Sequence, residues 1–277
     1  MKKNLIIGLA ANYNWAVLRN FVCSLRQTDY KDEVILFVSP DIDQPTRDSL
    51  ARHSVKFIEV DSSSPYLNGL PPDVYKDPTF LSKLPPSVYR ILVFYNFLME
   101  KGSDYNYILL TDVRDVVFQK DPFAFAICNK MCFFMESRSL LLKDSDWNAL
   151  WIVATFGVKV LYDKGDNLIS CIGTVIGPMP RMIAYLALLV KYLKDVQVFM
   201  MFGIEQAAHN YVILNKEVDD FLVFYTEDGP IATLSSYKEI QQDENGYYLN
   251  SNNDLANVVH QYDRHPSLKA FYDLKFK

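Results

Sequence analysis

Cysteine is scarce in this chain, and its four cysteines form no disulfide or zinc pattern. They are Cys23, Cys128, Cys132 and Cys171 among 277 residues. Cys128 and Cys132 approach the spacing of a zinc ligand pair, but no second cysteine or histidine pair follows at zinc-finger distance. We therefore expect small buried thiols in a reducing compartment.

Long apolar runs and basic blocks are also missing. No segment reaches the ~20 apolar residues of a membrane span, and polar Asn12, Tyr13 and Asn14 interrupt the apolar start too early for a signal peptide. The 28 basic and 33 acidic residues are spread along the chain and give a net charge of −5. We expect a cytoplasmic protein without a membrane span and without a nucleic-acid partner.

Hydrophobic residues, in contrast, are plentiful. They make up 50% of the chain, and 14% of the residues are aromatic, which is enough for a large buried core. The length is long for one domain and short for two. No repeat or linker interrupts the chain, so a single α/β domain over residues 1–277 is expected.

Apolar runs alternate with helical patterns in the first half of the chain. Strands are predicted at Leu5–Ala11, Glu33–Ser39, Val55–Val60 and Tyr105–Val113, and helices at Trp15–Arg26, Pro45–His53 and Ser87–Lys101. Residues 61–86 are rich in Ser, Pro, Gly and Asp and are expected to form a surface loop. This alternation predicts a mainly parallel sheet with helices on both faces.

The second half is less regular. Strands are predicted at Met131–Glu136, Leu168–Gly177 and Phe221–Thr226, with a short one at Val258–Val259, and helices at Arg181–Lys194 and Gly203–Leu214.

Two carboxylates, Asp112 and Asp115, lie at the exit of the fourth predicted strand. Ligands of open α/β sheets bind outside the carboxyl ends of the strands. Paired carboxylates there can hold a hard divalent cation that leaves positions open for diphosphate oxygens. The structural alternative is that Asp112 caps a turn and that Asp115 pairs with Arg114 or Lys120.

The segment from Leu109 to Phe123, Leu-Leu-Thr-Asp-Val-Arg-Asp-Val-Val-Phe-Gln-Lys-Asp-Pro-Phe, resembles the Asp-x-Asp region of GT-A fold glycosyltransferases. The likeness is strongest to the glycogenin-like group. Further elements follow in that family's order over about residues 5–266: Tyr89-Arg90 in the preceding helix, the strand Cys171–Gly177, the pair Glu205-Gln206, and His260.

The resemblance implies a fold and an activity. The fold is a GT-A, Rossmann-like, mainly parallel sheet flanked by helices, with a smaller C-terminal acceptor-side portion. Residues 1–120 would form the nucleotide-binding half, and residues 121–277 the acceptor-side half and a closing tail. The activity is transfer of a sugar from a nucleotide-sugar, a UDP-sugar above all, to a glycan or other hydroxyl acceptor, with Mn²⁺ or Mg²⁺ as cofactor.

The resemblance also assigns roles around the cation. Asp112, Asp115 and His260 would hold the metal, with Asp115 bridging it to the diphosphate and Asp112 binding either metal or ribose. Neutral imidazole suits Mn²⁺ in a mixed oxygen and nitrogen site. Glu205 would be the catalytic carboxylate, near the donor sugar in a retaining enzyme or acting as base in an inverting one.

The remaining roles concern the donor. Asn12 and Tyr13 follow the first strand, where relatives hold the nucleobase, although Tyr13 could simply pack at the sheet edge. Arg90 would reach the donor phosphate or sugar, or pair with Asp112 or Asp115. Arg264 would contact the diphosphate, because a guanidinium matches phosphate geometry.

The chain departs from the family pattern at three places. Its acidic motif, Asp112-Val113-Arg114-Asp115, is one residue wider than Asp-x-Asp. Cys171 or Ile172 stands near the position of the family's asparagine, and Glu205 replaces an aspartate.

Several alternatives stay open at this point. The chain could be a carbohydrate-binding protein on a transferase fold, or a nucleotidyltransferase, although the first strand lacks the Gly-rich loop of such enzymes; a dehydrogenase is excluded because no G-x-G-x-x-G follows that strand. The carboxylates that compete with Glu205 for the base role are Glu136, Asp146 and Asp228. Trp147, Trp151 and Phe156 could stack on sugars or form core.

Overall fold

A computed structural model describes residues 2–69, 84–194, 201–238 and 240–277. The strands are β1 (Lys3–Ala10), β2 (Glu33–Val38), β3 (Lys56–Glu59), β4 (Tyr105–Thr111), β5 (Val116–Phe118), β6 (Met131–Met135), β7 (Ser170–Pro178), β8 (Phe221–Tyr225), β9 (Ile231–Thr233), β10 (Gln241–Gln242), β11 (Tyr248–Leu249) and β12 (Val258–His260). The α-helices are α1 (Trp15–Arg26), α2 (Gln44–Arg52), α3 (Pro86–Lys101), α4 (Asp146–Phe156), α5 (Val158–Lys164), α6 (Met179–Lys194), α7 (Ile204–Leu214) and α8 (Pro266–Lys275).

Seven strands form the central sheet in the order β3-β2-β1-β4-β7-β6-β8. All neighbours pair in parallel except those of β7, which is antiparallel to both β4 and β6. The carboxyl ends of the parallel strands therefore share one edge with the amino end of β7. The segments that enter or leave the sheet at this edge can contribute to one site.

The two faces of the sheet bury separate sets of side chains. Successive residues of a strand point to opposite faces, so Leu5 and Ile7 pack under α3, α6 and α7, whereas Ile6 packs under α1 and α2. Strands buried on both faces are continuously apolar rather than alternating, as the segment Leu5–Ala10 is with its single Gly8. The sheet is therefore the middle layer of an α/β sandwich.

Local capping fixes where the first helices begin. The Asn14 side chain accepts a hydrogen bond from the backbone N–H of Val17 at 3.3 Å, and Asp43 accepts one from Thr46 at 2.8 Å. Both caps stabilise helix starts that follow carboxyl ends of strands. They hold the β1–α1 and β2–α2 turns in place at the same edge of the sheet.

A second sheet of three strands, β5-β12-β9, lies beside this edge. β12 pairs antiparallel with β5 and parallel with β9, and His260 lies opposite Val116 and Thr233. Only four residues separate the end of β4 from the start of β5, so the small sheet is tied to the end of β4. The C-terminal part of the chain therefore packs beside the turn between β4 and β5, which carries Asp112 and Asp115.

The α/β class and a large helix-flanked sheet are confirmed. The predicted strands and helices of both halves occur with shifts of a few residues. The sheet is mixed, since β7 runs against its neighbours. Helices α4, α5 and α8 were not predicted. Of the predicted loop at 61–86, a short 3₁₀ turn covers Pro65–Leu67, and residues 70–83 lie outside the described part.

Within the described residues, none of the helices combines the length and the apolar character needed to cross a bilayer.

Candidate active site

Two segments, the turn between β4 and β5 and the end of β12, deliver side chains to the carboxyl edge of the sheet. Asp112 directly follows β4, and its backbone N–H donates to the Gly173 carbonyl of β7 at 2.8 Å. Asp115 directly precedes β5, and its carbonyl accepts from the Gln261 N–H at 2.7 Å. His260 is the last residue of β12. Hydrogen bonds to neighbouring segments thus hold in place the backbone from which each side chain projects.

The two carboxylates are arranged alike around the imidazole of His260. Asp112 accepts a hydrogen bond from Arg90 at Oδ1, and its Oδ2 lies 3.3 Å from His260 Nε2. Asp115 accepts one from Arg114 at Oδ2 over 2.9 Å, and its Oδ1 lies 3.8 Å from His260 Nε2. Each carboxylate thus gives one oxygen to an arginine and directs the other toward the same nitrogen.

These three donor atoms fit a divalent cation. Ligands of an ion such as Mg²⁺, each at about 2.1 Å, lie roughly 3–4 Å from one another, and the atoms of Asp112, Asp115 and His260 all lie within 4.8 Å of each other. His260 Nε2 is buried and has no hydrogen-bond partner among the described residues. A buried nitrogen without a partner is costly, and a cation would satisfy it.

The opposite side of the imidazole is held by β7 and β9. His260 Nδ1 lies 3.5 Å from Cys171 Sγ and 3.5 Å from Thr233 Oγ1. Second contacts of this kind orient a ligating histidine and fix which nitrogen carries the proton. Cys171 is buried, as predicted, but it contacts a functional side chain; Cys128 is exposed and departs from the prediction, and all four cysteines are free.

Burial and close charges shift the pKa values of all three side chains. Burial acts to raise the pKa of Asp112, but Arg90 and His260 outweigh it and hold it below its ordinary range. Burial is the main reason that the pKa of Asp115 is raised, with Asp112 adding to it. Burial opposes a charged imidazole, yet Cys171 and Asp112 raise the pKa of His260 well above its usual value. The charges around the imidazole therefore favour a positive charge at the centre of the cluster.

Arg90 links this cluster to Glu205. Arg90 lies in α3 and is 8% exposed, and Glu205 in the first turn of α7 is 3% exposed. Burial raises the pKa of Glu205 against the opposing influence of the guanidinium of Arg90. Glu205 Oε2 has no hydrogen-bond partner among the described residues. The structure therefore brings both predicted residues to the site and gives Arg90 an ion pair with Asp112.

A cleft of about 140 Å³ lies beside the cluster, at the ends of β1 and β2. Its lining residues are Ala10, Asn12, Tyr13, Asn14, Ser39, Asp41, Ile42 and Asp43. Asn12 has a positive φ of 60° and accepts a hydrogen bond from Ser39 Oγ at 3.1 Å. The pKa of Tyr13 is raised by burial, lowered by Arg114 and raised by Asp112 and Asp115. Tyr13 thus lies between the cleft and the acidic cluster.

Arg264 does not join the cluster. Its side chain is 51% exposed, and within the described residues its ionic contact is Asp263, at 3.9 Å. Arg114 is the arginine that bridges this region, since it bonds Asp115 and also donates to Asp263 Oδ2 at 3.0 Å. A role for Arg264 in diphosphate binding stays a prediction.

The residues that competed with Glu205 lie in different surroundings. Asp146 is exposed in the first turn of α4, and Asp228 pairs on the surface with Arg138 at 2.6 Å. Glu136 directly follows β6 and is 9% exposed. Burial raises its pKa to about 7, while His260 opposes the shift. Glu136 is therefore the one competitor that lies near the cluster.

Sequence reasoning missed three contributors to this site. Gly173 has no side chain at the point where a Cβ would meet both His260 and Asp112. Arg114 was considered only as a structural partner of Asp115, and Thr233 was not considered. The glycine could have been noticed from its place in the strand Cys171–Gly177, but nothing in the sequence identified Thr233.

Comparison of the sequence with models of known protein families and with curated proteins finds no match.

Proposed function

We propose that this protein is a metal-dependent glycosyltransferase that uses a nucleotide-sugar donor, with UDP as the nucleotide, on a GT-A type fold. One observation carries the proposal. Three donor atoms, from Asp112, Asp115 and His260, converge at the carboxyl edge of the sheet beside a cleft that Asn12 and Tyr13 line. A metal site next to a base-sized cleft fits a nucleoside diphosphate better than either feature alone would.

The acidic cluster would hold Mn²⁺ or Mg²⁺. Asp112 Oδ2, Asp115 Oδ1 and His260 Nε2 are the ligands, and a bound cation offsets the charge that develops on a departing diphosphate. The Asp112 side chain is 32% exposed, whereas those of Asp115 and His260 are 8% and 1% exposed. The cluster is therefore open toward solvent on the side of Asp112, and donor oxygens would approach there.

The arginines and the cleft would position the donor. Arg90 and Arg114 flank the carboxylates, so their guanidinium groups supply the positive charge that phosphate oxygens need. Tyr13 would stack on uracil, and Asn12 would bond to its edge with the amide group that Ser39 orients. Arg264 would reach the diphosphate from the tail that follows β12.

Glu205 is the proposed catalytic carboxylate. It is buried near Arg90, which in turn contacts Asp112, and we assign it to the side of the cluster where the donor sugar would follow the diphosphate. The acceptor would be the hydroxyl of a glycan. A carboxyl with a raised pKa and an unpartnered oxygen suits either a base on that hydroxyl or a group that faces the reacting carbon.

The direct test is thermal unfolding with UDP and Mn²⁺ together. At a UDP concentration 100 times its Kd, ligand binding stabilises the folded state by about 2.7 kcal/mol, which raises Tm by roughly 5 °C or more for a chain of this size. We expect this shift only with both ligands present. Asp115→Asn should abolish it, because the variant keeps the volume of the side chain but loses the charge.

Asp166→Asn is the matched control, since Asp166 is exposed and pairs only with Lys143 in the described structure. It should keep the full shift. No stabilisation of the parent protein by UDP with Mn²⁺, Mg²⁺ or neither would disprove the proposal. Metal-dependent release of UDP from a UDP-sugar then separates an enzyme from a binding protein, because a protein that only binds the donor releases none.

A further inference from the structure

The structure places exposed aromatic rings on α4 and just before α7. Trp147 is 66% exposed and Phe202 64% exposed, and Trp151 lies between them, half-buried. We name Trp147, Trp151 and Phe202 the aromatic platform. Large apolar side chains of this kind are normally buried or occupied by a partner. The alternative that these tryptophans are ordinary core is thus excluded for Trp147.

The rings form a corner rather than a flat patch. The Trp147 and Trp151 rings lie 6.2 Å apart with 31° between their planes. Phe202 stands edge-on to Trp151, at 5.9 Å and 73°. The three rings thus form one contiguous aromatic surface, and Trp147 and Phe202 are its exposed parts. The apolar C–H face of a sugar ring can pack against an exposed aromatic face.

The platform is continuous with the proposed site. A Cβ on Gly203 would lie 2.1 Å from the ring of Trp151, so the backbone of Gly203 rests directly on that ring. Gly203 is the N-cap of α7, and Glu205 follows it by two residues. α4 connects β6 to β7 at the same edge of the sheet as Asp112. A molecule on the platform would therefore extend toward Glu205.

We propose that the aromatic platform binds a neutral pyranose ring of the acceptor glycan, whose C–H face stacks on Trp147. The inference rests on the proposed function and names the acceptor as an oligosaccharide longer than the sugar that reacts. Sugar rings carry apolar C–H faces and no charge, which suits an exposed aromatic surface.

Charge favours a glycan over an anionic membrane. Asp144 and Asp146, both exposed, lie beside Trp147 at the start of α4, and carboxylates there would repel an anionic lipid surface. A second copy and a membrane are the competing outcomes of the test.

Oligosaccharide binding can be measured without nucleotide or metal. In a Trp15→Phe background, the tryptophan emission comes from Trp147 and Trp151 alone, because the chain has three tryptophans. We expect at least one of cellohexaose, maltohexaose and chitohexaose to shift this emission saturably at millimolar concentration. By calorimetry, Trp147→Ala should weaken that affinity about tenfold, which corresponds to ~1.4 kcal/mol, and Trp147→Phe should retain most of it.

Tyr162→Ala is the matched control, since Tyr162 is 88% exposed on α5 and is not part of the platform. It should leave the affinity unchanged. The proposal is overturned if none of the three oligosaccharides binds, or if Trp147→Ala and Tyr162→Ala weaken binding equally. A dimer by light scattering, or sedimentation with phosphatidylcholine vesicles, that Trp147→Ala abolishes would also overturn it. Failure of the proposed function is read separately, from UDP and Mn²⁺ with the parent protein.

Discussion

Gly173 lies in β7 where the side chains of two proposed metal ligands meet. A Cβ at this position would be 2.3 Å from His260 Cε1 and 2.8 Å from Asp112 Oδ2. Both distances are below any ordinary van der Waals contact, and both neighbours are buried or anchored by other contacts. The lack of a side chain at Gly173 is therefore what lets His260 and Asp112 face each other.

Gly173→Ala should weaken metal-dependent UDP binding at least about tenfold, although the residue is not a ligand. The added methyl group must displace the imidazole or the carboxylate by roughly 1 Å, and divalent-ion sites tolerate distance errors of only ~0.2 Å. Titration of UDP with Mn²⁺, followed by thermal shift, measures the change.

Gly102→Ala is the control for a glycine outside the site. Gly102 has an ordinary helical φ of −62°, and a Cβ there would meet the flexible thioether of Met179 at 3.1 Å. If both alanine variants bound UDP and Mn²⁺ like the parent protein, the ligand assignment around Gly173 would be wrong.

At the residue scale, the three side chains that gather in the cluster could be predicted from the sequence, but their ion pairs could not. Asp112 and Asp115 were predicted because they follow an apolar strand, and His260 because a short apolar run delivers it. Whether Arg90 and Arg114 bind substrate or carboxylate depends on distances between segments far apart in the chain. The structure shows both arginines bound to the acidic pair.

Gln206 connects three elements through its side-chain amide. Its Oε1 accepts from the Ile172 N–H of β7 at 2.9 Å, and its Nε2 donates to the Ser170 carbonyl at 2.7 Å and to Asn148 Oδ1 of α4 at 3.2 Å. The amide is thus fully engaged within the protein. In this chain Gln206 joins α7 to the start of β7 and to α4.

Gln206→Leu should lower the free energy of unfolding by about 2–4 kcal/mol. The substitution keeps the side-chain size but removes the hydrogen bonds to Ile172, Ser170 and Asn148, each of which contributes about 0.5–1.5 kcal/mol. Urea denaturation measures the change.

Gln44→Leu is the control, because Gln44 is exposed and its side chain bonds only Asp48 in the described structure. Its free energy of unfolding should stay within about 0.5 kcal/mol of the parent value. Equal effects of the two substitutions would show that Gln206 does not stabilise the contact of α7 with β7 and α4.

At the element scale, the long strands and most helices were predictable. A strand that is buried on both faces is continuously apolar in sequence, and a helix that is buried on one face shows apolar residues at helical spacing. α4 was not predicted because it has no apolar stripe: within it only Asn148 and Ile152 are buried. The direction of β7 depends on the edge of the sheet at which the preceding segment, which holds α4 and α5, ends. Local sequence does not encode that edge. β5 and β9 have three residues each and are too short to show a period.

His209 is a titratable group that is fully enclosed between the sheet and its helices. It is fully buried in α7, and its imidazole contacts the hydroxyls of Tyr185 in α6 at 2.7 Å and Ser170 in β7 at 2.8 Å. Burial, together with the nearby charge of Arg90, lowers its pKa from 6.5 to about 3. Protonation of His209 therefore opposes the folded state.

This enclosure makes the stability of the molecule depend on pH. Because the folded-state pKa lies below the unfolded one, the unfolded chain binds more protons between pH 3 and 6.5. The contribution of His209 is fully present above pH 6.5 and is lost as the pH falls, by up to ~1.4 kcal/mol per pH unit. Glu136, whose pKa is raised to about 7, contributes with the opposite sign, since its burial favours the protonated, folded form as the pH falls.

A comparison of the parent protein with His209→Gln isolates the pH-dependent contribution of His209 to the free energy of unfolding, because Glu136 and the acidic cluster are common to both. Between pH 6 and pH 4 the parent should lose roughly 2–3 kcal/mol more stability than the variant. Urea unfolding at half-unit steps of pH measures both curves. Glutamine can still bond one of the two hydroxyls, so the variant should fold, with a lower stability at pH 7 that changes less with acid. Parallel curves would mean that the imidazole of His209 is already protonated, or exposed to solvent, in the folded molecule.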